Sequence, residues 1–206
     1  MNARQVFTLL AAACQLSFSA CTVTLARHSA AYVNDRTVEV HSDLDLDNSS
    51  VFKLNDIEFS VRPKNSRYAE VMILPFPWAS GESKDTSTKF HVLVRFHPNR
   101  AGFVLRPEKI LLSFSPTEVL APSLITRPHW TGSDTATYKP HASTFESATL
   151  ITGVSYSVEY DFPIPPPDPV RGFSIEIAGL ELDGTPYKIP VVTFKQKRTL
   201  EPDFPH

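Results

Sequence analysis

The 206-residue chain carries 20 Lys and Arg against 22 Asp and Glu, a formal net charge of −2. That balance gives no basic face for nucleic acid and no strong pull toward anionic headgroups. Hydrophobic residues at 42% exclude disorder throughout, and 18 Pro with 14 Phe and 6 Tyr point away from helices and toward strands and loops.

Both cysteines, Cys14 and Cys21, fall in the first 21 residues, and the body from Thr22 to His206 has none. Internal disulfides and cysteine-ligated metal are therefore excluded from the body. Residues 1–20 read as a leader. Arg4 supplies a positive start, and Val6 to Leu16 is apolar but too short to span a bilayer. The leader ends in Phe18-Ser19-Ala20-Cys21. This resembles the lipobox of bacterial lipoproteins, with Phe18 where Leu is usual. The resemblance implies cleavage before Cys21, diacylglycerol on its thiol and a fatty acid such as palmitate on its new amine. Thr22 is not the Asp that retains many such proteins in the inner membrane. The implied address is the outer membrane, facing the periplasm, with the membrane as partner through the N-terminal lipid. Two other readings stay open. Thr24-Leu25-Ala26 fits a conventional cleavage site that would release a soluble periplasmic protein, and the leader could stay as an uncleaved anchor. The expected organisation is a signal peptide over 1–20, a tether over 21–35, a β domain over 36–197 and a tail over 198–206.

Strand signals follow in chain order. Thr37–His41 alternates, with Val38 and Val40 on one face. Ile57, Phe59 and Val61 form an apolar face, while Phe52 and Leu54 have the opposite parity, so a turn or bulge is expected near Asn55-Asp56. Ala69–Leu74 is an apolar run stopped by Pro75 and Pro77, and Trp78–Thr88 is a polar loop. Phe90, Val92, Val94 and Phe96 alternate with mostly charged or polar residues, Ile110, Leu112 and Phe114 follow within Lys109–Phe114, then Val154, Tyr156, Val158, Tyr160 and Phe162 alternate with Ser155, Ser157, Glu159 and Asp161, and Phe173, Ile175 and Ile177 with Ser174 and Glu176. A period of two marks half-buried strands. Thr117–Leu120 and Ser143–Leu150 have room for a short turn of helix. The run Pro163–Pro169 should be extended and link two strands. Asp183-Gly184 is a hairpin signal, with Tyr187–Lys195 as the returning strand and Pro190 as a sign of an edge or bulge. The expected fold is all-β, an antiparallel β-sandwich of immunoglobulin-like type with eight or nine strands. The tail pattern, from Phe173 through Leu182-Asp183-Gly184 to Phe194, resembles the end of small bacterial lipoproteins with immunoglobulin-like sandwiches, a resemblance that implies no activity.

Chemistry is sparse. His91 and His97 share one strand face but stand ~20 Å apart at ~3.4 Å per residue, too far for one ion. His129 and His141 lie in Pro-rich loops. Asp43, Asp45 and Asp47 share a face of an extended chain, but Asn48 and Leu54 stand where an EF-hand needs Gly and Glu. No Gly-x-Ser-x-Gly elbow, HExxH or phosphate-binding glycine loop occurs. No metal, cofactor or catalytic residue is therefore expected. Trp78 and Trp130, beside prolines, are the candidate contacts for an envelope protein or glycan. The leading expectation is a non-enzymatic, envelope-anchored interaction or structural module. The alternatives are a periplasmic hydrolase using His129, His141 or the acids at 43–47, and a carbohydrate or ligand binder using the two Trp residues.

Overall fold

The computed structural model describes residues 22–34, 51–72, 78–79, 86–130 and 141–203. The expected leader with Cys21, the expected strand at Thr37–His41 and the acids at 43–47 lie outside them. Every regular element among the described residues is a β-strand. In chain order these are β1 (Thr22–Tyr32), β2 (Val51–Lys53), β3 (Ile57–Pro63), β4 (Arg67–Met72), β5 (Trp78–Ala79), β6 (Phe90–Pro98), β7 (Phe103–Leu105), β8 (Ile110–Ser115), β9 (Glu118–Leu120), β10 (Leu124–Thr126), β11 (His129–Trp130), β12 (His141–Ala142), β13 (Ala148–Thr149), β14 (Tyr156–Phe162), β15 (Phe173–Ile177), β16 (Leu180–Leu182), β17 (Thr185–Pro186) and β18 (Val192–Asp203). They form antiparallel pairs in three sheets.

The chain divides into two compact units. The smaller holds the described parts of Met1–Arg27, Arg67–Lys84 and Arg198–His206. Its strand order is β5-β4-β1-β18, with Thr22 opposite Met72 and Arg27 opposite Arg67. The segment expected as a tether thus carries β1, and β18 runs into the expected tail. Small residues such as Thr22, Thr24 and Ala26 lack a pattern of their own, but a paired neighbour makes a strand of them because the ladder satisfies the backbone regardless of side chain.

The larger unit, His28–Ser66 with Asp85–Lys197, is sandwich-like. One sheet follows the order β1-β18-β15-β8-β9, a second the order β12-β10-β14-β6-β3-β2 with β11 also on β14, and a third the order β13-β7-β16-β17. The alternation read from the sequence places the core. Along β6, Phe90, Val92, Val94 and Phe96 are buried and the residues between them are half-buried. Tyr156, Val158, Tyr160 and Phe162 match them strand to strand. From the first sheet, Phe173 meets Phe90 edge-on at 5.5 Å and stacks on Phe194 at 4.7 Å. Leu105 and Leu180 from the third sheet join the same cluster. Burying such side chains contributes about 1.5–3 kcal/mol each, before the entropy of ordering them is set against it.

Turns behave largely as their residues require. The parity change after Leu54 is a hairpin, where the Leu54 N–H donates to the Ile57 carbonyl and Phe52 comes opposite Phe59. Asp183 and Gly184 both take positive φ, 51° and 77°, the backbone of a tight two-residue hairpin between β16 and β17. Three expectations fail. Tyr187–Lys195 is not one returning strand, because β17 ends at Pro186 and the chain crosses to another sheet before Val192. Pro190, with no N–H to offer a ladder, sits in that crossing. Thr117–Leu120 is not helical but enters β9, hairpinned to β8 with a bulge at Ser113/Ser115. Ser143–Leu150 likewise holds only the short strand β13.

Candidate functional site

The outer face of the second sheet gathers polar side chains, because each residue between the buried positions of β6 and β14 faces away from the core. Register then brings together residues far apart in sequence. Asp161 lies opposite His91, and its Oδ1 is 2.6 Å from His91 Nδ1, with Lys89 Nζ 3.9 Å from Oδ2. At the other end of β6, His97 Nδ1 is 2.9 Å from the Ser155 hydroxyl. Glu58 lies opposite His97 on β3 and pairs with Lys53 at 3.2 Å. Between these ends, Ser60 and Ser157 flank Arg95 in one row, and both serines are buried. Thr126, also buried, accepts the Glu159 N–H at 2.7 Å, so a side chain continues the hydrogen bonding where the β10 ladder ends.

An imidazole oriented by a carboxylate can take up or release a proton, and an imidazole bonded to a hydroxyl can accept one. Here the two are separate. His91 holds the carboxylate and His97 the serine, six residues or ~20 Å apart along β6. A nucleophile–base–acid chain needs a single imidazole to contact both partners.

The expected contact residues fall elsewhere. Trp78 lies in β5, opposite Met72, and Trp130 lies in β11, opposite Tyr156. The prolines beside them suggest loops, but each residue makes a strand pair. His129 Nδ1 donates to the Arg127 carbonyl at 3.3 Å, and His141 lies opposite Thr126 on β10. Cys21 and the acids at 43–47 are outside the described residues. Among the described residues no three His, Cys, Asp or Glu side chains converge as metal ligands, and no helix is long and apolar enough to cross a membrane. Sequence reasoning missed the partners of His91 and His97. The only available signal was that Asp161 and Ser155 occupy outward positions of another alternating strand.

Among the described residues two phenols are shifted. Burial pushes the Tyr160 phenol far above its ordinary value, and the charge of Glu108 adds to the rise. Tyr187, edge-on to Phe103 at 5.1 Å, is raised by burial first and then by Asp56.

The architecture defines an all-β, sandwich-like protein whose outward polar residues are engaged with one another across strands. No family model matches the chain, and no curated protein or solved structure matches it.

Proposed function

We propose that the protein is an envelope-anchored lipoprotein, acylated on Cys21 and held at the periplasmic face of the outer membrane, that serves as a non-enzymatic interaction or structural module. The observation that carries the anchor is the start of β1. Cleavage before Cys21 leaves every described residue of β1 in place, whereas cleavage after Ala26 would remove Thr22–Ala26, five of the six residues that pair with β4. The address thus agrees with what the smaller unit needs in order to keep its sheet. The scaffold reading draws support from the polar faces: His91–Asp161, His97–Ser155 and the two-pronged Arg171–Glu118 contact at 2.6 and 2.7 Å brace neighbouring segments. The immunoglobulin-like form of the sandwich belongs to the same reading and rests on the tail pattern from Phe173 to Phe194.

The test is the mass of the mature N-terminus in protein extracted from membranes. A diacylated or triacylated Cys21 is expected, with loss of membrane partitioning in Cys21→Ser. An unmodified chain starting at Arg27 would refute it.

The hydrolase reading gains one observation, the His91–Asp161 contact. The serine it would need is bonded to His97 instead, so an activated-serine probe such as a fluorophosphonate is expected to leave Ser155 unlabelled.

A further inference from the structure

We propose that the β1-β4-β5 corner of the smaller unit lies on the bilayer that carries the Cys21 lipid, with residue 78 at headgroup depth. This rests on the acylation reading above and names the surface that the anchored unit touches. Thr22 is the first residue of β1 and follows Cys21 directly, so no linker separates the acylated residue from a hydrogen-bonded sheet. Register then sets what shares its level. Thr22 is opposite Met72 on β4, and Met72 is opposite Trp78 on β5. One cross-strand row therefore joins residues 22, 72 and 78. Neighbouring strands stand ~4.8 Å apart, so the Trp78 backbone lies ~10 Å from that of Thr22, at the same height along the strands.

A lipid chain attached at residue 21 places that residue at the membrane surface. A flexible tether of a dozen residues would let the protein tumble clear of it. A strand starting at residue 22 does not, and the row is held at the interface. Met is apolar, and Trp is the residue type that partitions best at the headgroup level, with an apolar ring and one N–H. The β5 edge, where the strand order ends, faces a surroundings rich in hydrogen-bonding headgroups. Trp78 stands 56 positions after Thr22 in sequence, so only the register brings the anchor and this aromatic together.

The chain has two tryptophans, so Trp130→Phe leaves Trp78 as the sole reporter and Trp78→Phe leaves Trp130. Full-length mature protein is purified from membranes, its acylation established by mass, and reconstituted into phosphatidylethanolamine–phosphatidylglycerol vesicles containing headgroup-nitroxide lipid. The expected result is loss of most Trp78 emission. Should Trp130→Phe fail to fold, the unsubstituted protein serves, and its quenching is expected to fall in Trp78→Phe. Acylated protein in which Trp78 is unquenched would overturn the proposal while leaving the anchor standing. Protein found without acyl chains would overturn the anchor and this proposal with it.

Discussion

Asn65 is 2% exposed, and its amide group ties three distant segments of the larger unit together. Nδ2 donates to the Ser29 hydroxyl at 2.8 Å and to the Pro167 carbonyl at 3.2 Å. Pro167 belongs to the Pro-rich run that joins β14 to β15 across two sheets, a run with few N–H groups to anchor itself. Removing the amide takes this donor from that carbonyl and from the Ser29 hydroxyl, so Asn65→Ala is expected to cost about 1–3 kcal/mol, read as a lower urea midpoint with unchanged slope. Nothing in the sequence around Asn65 distinguished it from a surface turn residue, because both of its partners lie far along the chain. The phenols make a second residue-level prediction. Tyr160 and Tyr187 ionise less readily folded than unfolded, so their contribution is complete below the unfolded value of about 10 and is lost as pH rises above it. Thermal stability should fall above pH 10. The Tyr160 phenolate band should emerge together with loss of the far-ultraviolet strand signal, and Tyr160→Phe should flatten that pH dependence.

Elements with a clean period of two were legible in advance: β3, β6, β14 and β15 all bury the residues that their alternation selects. The pleat sends alternate side chains to opposite faces, so the pattern states which face is apolar before any partner is known. The β16-β17 hairpin was equally legible, since Asp-Gly suits a turn with two positive φ values. What failed was continuity. Tyr187–Lys195 reads as one strand because its apolar residues are dense, yet the chain changes sheet within it. Phe173 shows how much one element can carry, with Phe90, Phe114 and Phe194 all within 6.0 Å between ring centres. Phe173→Ala is expected to cost about 3–5 kcal/mol, because aromatic neighbours on three sides cannot close the cavity, and differential denaturation against the unsubstituted chain measures it.

For the whole molecule, the smaller unit depends on where the chain begins. A chain starting at Thr22 should protect the backbone amides of Arg67–Met72 from hydrogen exchange. One starting at Arg27 should lose that protection, since five of the six residues that pair with β4 are gone. The amino-acid sequence by itself determined the all-β class, the inward face of β3, β6, β14 and β15, the Asp-Gly hairpin and the absence of cysteine after residue 21. These are local properties, set by side-chain period, by φ preferences and by composition. Tertiary structure alone decided that β1 is a strand and that β18 runs on through Asp203, that His91 meets Asp161 while His97 meets Ser155, and that Thr22, Met72 and Trp78 share a row. Each of these depends on which strand lies beside which and in what register. That choice is made by the joint burial of many side chains, and no single segment encodes it.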